Sequence, residues 1–293
     1  VLLKIGVILF FCTVGFTLIK PHHWTDPTLG GFAPNGWAGI SAGAAIIFFS
    51  YIGFDATSTA AEEAKDPGRD MPFGIIMSLV VCTVLYIILA LVMTGMAPWN
   101  RLGTAEPMIT ALALADGSPH LLSISRLIVS LGAVIAMSSV LLVFQLGQPR
   151  IFMSMARDGL LPPFLARVHP RFRTPYIGTI LTGTFVATFA AFANIAEVVD
   201  LTNIGTLFAF VLVSAGVIVL RRIEPDRARP FRAPLVPLTP IISIVACLYL
   251  MLQLPKITWI RFGLWLVVGL VIYFFYGTRN SRLGKIAAGV KAN

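Results

Sequence analysis

An all-α membrane protein, a polytopic bundle of about eight transmembrane helices, is the fold class this sequence predicts. Three observations predict it. Charged residues make up only 12% of 293 positions, against 57% hydrophobic, where a soluble domain carries about 25% charged. Mean hydropathy is +0.87. The apolar residues are gathered into runs near the ~20 residues a helix needs to cross the hydrocarbon, and the short alternating segments of a β-barrel are missing. The bilayer is the solvent.

Eight runs qualify: 5–19, 38–61, 73–96, 122–148, 175–193, 201–220, 236–254 and 259–277. The first is the shortest. The chain opens directly on Val1-Leu2-Leu3, with neither an initiator Met nor the charged leader of a signal peptide, so residues preceding Val1 are expected. The second carries an acid, Asp55, inside its apolar run. The loop 97–119 after the third is turn-rich and nearly uncharged. The fourth leads into Arg150–Thr174, where Gly159 and Pro162-Pro163 are stop signals for a helix projecting from the membrane. A basic loop broken by prolines follows the sixth, and residues 278–293 read as a cytoplasmic tail. Residues 1–277 form a single transmembrane domain.

Charge orients the bundle. Lys and Arg number sixteen on one set of loops and four on the other, and cytoplasmic loops collect the excess. Both visible ends are therefore expected on the cytoplasmic side of the plasma (inner) membrane. The net charge of +9 reads as topology plus attraction to anionic lipid. It does not read as nucleic-acid binding, because the charges are scattered between spans. Cys12, Cys82 and Cys247 lie in apolar runs without metal-ligand spacing and are expected as small packing residues.

The second span is the informative one. Residues 48–59 read Phe-Phe-Ser-Tyr-Ile-Gly-Phe-Asp-Ala-Thr-Ser-Thr. Charge at membrane depth is costly, so an intramembrane acid faces a cavity or a partner. Gly53 loosens the helix, and Asp-Ala-Thr-Ser is a good N-cap. The pattern predicts a helix that breaks near 51–55 and restarts at Asp55. A break at mid-membrane frees carbonyls from one half-helix and N–H groups from the other. A zwitterion suits that geometry, its ammonium on the carbonyls and its carboxylate on the helix N-terminus.

Residues 48–72, from Phe48 through Glu62-Glu63-Ala64-Lys65-Asp66-Pro67 to Pro72, resemble the sixth span and following loop of amino-acid permeases of the amino acid–polyamine–organocation superfamily. Gly147-Gln148-Pro149-Arg150, Met155 to Pro162, Asn203 to Phe210 and the opening Lys4-Ile5-Gly6-Val7 agree with it. The likeness is greatest to the bacterial branch similar to cationic amino acid transporters, and it covers nearly the whole chain. It implies a partial five-plus-five inverted-repeat (LeuT-like) transporter fold, with residues 38–220 as the second repeat and the family's first four spans absent.

The resemblance also implies roles. Phe49, Ser50, Tyr51 and Ile52 match positions that face the substrate's amino group, against the alternative of an ordinary packed helix. Asp55 either caps the second half-helix or touches substrate. Lys4 either snorkels to the interface or matches the fifth-span lysine that replaces a bound cation in proton-coupled relatives. Ser138 and Ser139 match its neighbourhood, or else bond within their own helix. Phe144 matches a pocket position that limits ligand size, or is a lipid-facing ring. Glu62 and Glu63 stand either as an inner gate or as a solvated helix end. His22-His23 lacks further ligands and does not predict a metal site. No catalytic constellation shares a depth, so no enzyme and no cofactor are expected. The function implied is secondary active transport by alternating access: proton-coupled uptake of small or medium neutral amino acids, with the lipid bilayer and protons as partners. An exchanger without proton coupling and a non-transporting sensor or partner-dependent subunit are the alternatives.

Overall fold

Among the described residues the long apolar runs fold as helices, because backbone groups in lipid must be satisfied within the segment. The computed structural model describes residues 2–26, 30–31, 33–54, 66–226, 229 and 231–281. In chain order the helices are α1 (Leu2–Phe16), α2 (His22–Thr25), α3 (Gly36–Ile47), α4 (Pro67–Met96), α5 (Pro107–Leu114), α6 (Pro119–Arg157), α7 (Tyr176–Phe192), α8 (Ile195–Ile223), α9 (Leu238–Leu252), α10 (Lys256–Ile272) and α11 (Thr278–Asn280). A 3₁₀ turn (Phe48–Tyr51) continues α3, and a π-helical turn (Tyr273–Gly277) joins α10 to α11. No strand occurs among the described residues.

Among the described residues, four helical stretches are long and apolar enough to cross a membrane by length and composition: α4, α6, α8 and α10 with its extension to Asn280. α1, α3 with its 3₁₀ turn, α7 and α9 are shorter apolar helices. Helix ends follow local chemistry. Pro67 and Pro107 stand in the first turns of α4 and α5, where a missing N–H costs nothing. Asn194 caps α8, its Oδ1 accepting from the Ala196 N–H at 3.1 Å. α6 ends at Arg157, and Gly159 just beyond it holds a φ of +79°, a left-handed conformation that favours glycine. Leu160 N–H then reaches back to Met155 O at 2.9 Å, closing the helix.

The chain divides into two compact units, Val1–Gly43 with Gly53–Val140 and Ala44–Ile52 with Leu141–Asn293. In the first, α1 packs on α4 around Phe11, Cys12, Val92, Met96, Ala111 and Leu112. A Cβ on Gly132 would come within 2.6 Å of Val7 Cγ2, so α1 and α6 meet backbone to side chain, as small residues allow in membranes. Loop residues tie the end of α4. Gly95 O, a carbonyl of its last turn, accepts from Lys20 N–H at 2.8 Å, and His23 Nδ1–H donates to it at 3.0 Å. Trp24 Nε1–H donates to Thr94 Oγ1 at 3.0 Å. These bonds give His23 a structural role. In the second unit, α8 packs on α9 and α10 around Ala45, Ile204, Leu207, Cys247, Met251 and Leu254. The ends of α6 and α11 also meet here, for a Cβ on Gly159 would lie 2.1 Å from Asn280 O.

Outward faces are apolar throughout. Val80, Val84, Ile87, Leu91, Leu127, Leu131, Leu142, Leu264 and Val267 are all exposed, as expected where lipid rather than water surrounds the chain.

Candidate functional site

The α3 helix ends where the expected break would begin. Regular α-helix stops at Ile47, and Phe48–Tyr51 wind as a 3₁₀ turn closed by Ile52 N–H to Phe49 O at 3.2 Å. Ile52 is extended (ψ 133°), and Gly53 adopts φ +124°, a conformation L side chains rarely hold. Phe49, Ser50, Tyr51 and Ile52 are thus the last turn and exit of the α3 helix. Phe49 and Ser50 are exposed, and Tyr51 and Ile52 half-buried. The restart expected at Asp55, Asp55 itself, Glu62, Glu63 and Lys65 lie outside the described residues.

The break has a bracket that sequence reasoning did not assign. Where i−4 bonding gives way to i−3 bonding, a carbonyl is passed over and needs another donor. Asn203 of α8 supplies it, its Nδ2 donating to Ala45 O at 3.0 Å and to Ile46 O at 3.4 Å. Asn203 is completely buried, and its Oδ1 has no partner. The orientation follows from the chemistry, since an amide oxygen turned toward two carbonyls would repel them. Beside it, Phe48 meets Phe210 edge to face at 6.1 Å. A buried amide within an apolar span is the signal that marks such a residue in sequence.

Phe144 lies in the same unit as Phe49–Ile52 and is exposed, 45% accessible against 41% for Phe49. Neither ring stacks on the other. Its neighbour Gln145 donates Nε2–H to Thr179 O at 2.8 Å, tying α6 to α7.

Lys4, half-buried in the first turn of α1, belongs to the other unit together with Ser138 and Ser139 of α6. The Val7–Gly132 contact brings the two helices together. Ser138 Oγ–H donates to Val134 O at 2.8 Å, the bond within its own helix. Among the described residues Lys4 bonds to neither serine.

Charge pairs stand at the loop ends. Lys20 pairs with Asp116, and the ammonium holds that carboxyl below the usual carboxylate range by hydrogen bond and charge. Arg261 pairs with Glu197 at 3.1 Å. Among the described residues no group of three His, Cys, Asp or Glu is placed to hold a metal ion.

Comparison with known proteins follows this geometry. A family model described as "Amino acid permease" matches residues 1–278. The branched-chain amino acid permease BcaP of Bacillus subtilis (strain 168) is 43% identical over 285 residues, covering 97% of this chain and 59% of that protein. A methylthioribose transporter of the same strain is 44% identical over 285 residues, covering 97% of this chain and 60% of that protein. A vacuolar cationic amino acid transporter 4 of Arabidopsis thaliana is 39% identical over 224 residues, covering 76% and 36% respectively. The chain spans about three-fifths of the length of the two bacterial relatives.

Proposed function

The chain belongs to the amino acid permease family, and from that premise we propose that it forms the greater part of a secondary active transporter for neutral amino acids of small or medium size. The observation that carries the proposal is the broken α3 helix. Its final turn leaves Phe49 and Ser50 uncovered, with helix-end carbonyls beside them. Such an end takes an ammonium, and irregular backbone at membrane depth is tolerated where it lines a cavity. In this reading residues 38–220 are the second inverted repeat and 1–277 one transmembrane domain. The basic loops and both ends face the cytoplasm at the plasma membrane.

Coupling is assigned to protons through Lys4. A half-buried ammonium takes the place of a bound cation, so a proton exchanged there biases the inward–outward equilibrium. Ser138 and Ser139 complete this site in the state where Lys4 reaches them. Phe144 limits ligand size.

Relatives of nearly equal identity are named for a branched-chain amino acid and for methylthioribose. The second reading is therefore an uncharged thiosugar as substrate. One experiment separates the readings. The protein, expressed from its complete open reading frame, is placed in proteoliposomes and given radiolabelled alanine under an imposed inward proton gradient. Accumulation that collapses with a protonophore, and that leucine competes away better than methylthioribose, is the expected result. Uptake indifferent to the gradient overturns proton coupling, and competition by methylthioribose alone overturns the amino-acid assignment.

A further inference from the structure

We propose that Asn203 is the positioning residue of the helix break: its amide, carried on α8, holds the Ala45 and Ile46 carbonyls and so sets where the turn Phe49–Ile52 begins. Three observations converge. The amide donates to two successive carbonyls at the α-to-3₁₀ transition, at 3.0 and 3.4 Å. The side chain is entirely buried, and an amide is costly to bury unless its hydrogen-bonding capacity is used. Among the described residues its Oδ1 is left without a partner, a standing cost that an apolar side chain of like size would avoid. Packing alone therefore gives no reason for Asn here. The donors do.

The arrangement has a geometric consequence. Ala45, Ile204 and Leu207 are fully buried beside the amide, and Phe48 is braced edge to face on Phe210. Both contacts reach α3 from α8. The end of α3 is thus referenced to α8, and the turn that follows it inherits that register. Its bearing on substrate affinity rests on the transport reading above, whereas its bearing on local backbone stability does not.

Hydrogen exchange of the protein in lipid nanodiscs tests it, comparing N203L and N203A with the parent. Leu fills the site without donors, and Ala removes donors and leaves a cavity. If the donors position the break, both variants speed exchange in residues 48–54 by a similar factor, about tenfold for loss of the bonds to buried carbonyls, while α9 keeps the parent's protection. If Asn203 only fills space, N203A loosens the region and N203L matches the parent, and the proposal falls. It also falls if exchange rises equally across 48–54 and α9 in N203L, since that reports general unfolding. A KM for the transported solute raised by N203L with unchanged maximal rate extends the role to substrate binding. An unchanged KM with faster local exchange upholds the positioning role and removes Phe49–Ile52 from the substrate site.

Discussion

Gly53 holds φ +124° at the end of the break, and no other residue type takes that conformation cheaply. Gly53→Ala is expected to destabilise the protein by about 1–3 kcal/mol through forced backbone strain, read as a lower thermal midpoint in detergent. A midpoint equal to the parent's would mean that the turn relaxes to a different path. At Phe144 the expectation concerns selectivity. If the exposed ring limits side-chain size as proposed, Phe144→Ser should let larger amino acids compete with alanine uptake, and an unchanged competition profile would refute the gate. Residue-level legibility was uneven. Gly53 beside an acid in an apolar span is a signal that the helix stops there, and Ser138 bonds within its helix as hydroxyls there usually do. Asn203 could be seen as a polar residue in a span, but its task could not. The carbonyls it holds lie 158 residues away in sequence, and only the fold brings them near.

Helix α6 shows what the sequence says about elements. The apolar run 122–148 predicts a span, and Gly159 with Pro162-Pro163 predicts that the helix continues beyond it. The structure gives one helix of 39 residues ending at Arg157, about 58 Å long at 1.5 Å per residue. That is nearly twice the ~30 Å hydrocarbon. The short helices α2 and α5 were not foreseen, because four and eight residues leave too little periodicity to read. α2 is held by tertiary bonds, with His23 and Trp24 anchored on α4. Packing between elements is testable at Gly132. Gly132→Ala would drive a methyl into Val7 and is expected to cost about 1–3 kcal/mol by overpacking. Adding Val7→Ala should restore much of the loss. A double variant as unstable as the single one would show that the two sites do not touch. For Lys4, in the first turn of the same α1 helix, Lys4→Met should leave residual uptake that no longer responds to the proton gradient. A wild-type pH response in that variant would remove Lys4 from coupling.

Across the whole molecule, composition was the most legible layer. A chain with 12% charged residues had to face lipid, and the exposed apolar faces of α4, α6 and α10 accord with that. The division into two units was not legible, because it runs through the middle of α3 and of α6 rather than at loops. The orientation proposed from the basic loops is open to test: Arg171→Cys and Arg232→Cys should react with an impermeant maleimide only from the cytoplasmic side, and labelling from outside would invert the topology. In the loops, Lys20 keeps the Asp116 carboxyl below its ordinary range. Because the folded value is the lower one, the pair's contribution is fully present above the unfolded value of about 3.9 and is lost as pH falls through the folded value. Asp116→Asn should therefore flatten the acid side of a plot of thermal midpoint against pH between 3 and 7. Superimposable curves would mean that the pair is idle.

The seam between Gly159 and Asn280 has a mechanical meaning. Gly159, two residues past the end of α6, lies against Asn280 of α11, with no room even for a methyl group between them. In the transport reading proposed above, a tilt of α6 is passed through that contact to the segment following α10, so the two ends are expected to move together. A cross-link placed at that seam should then leave turnover largely unchanged.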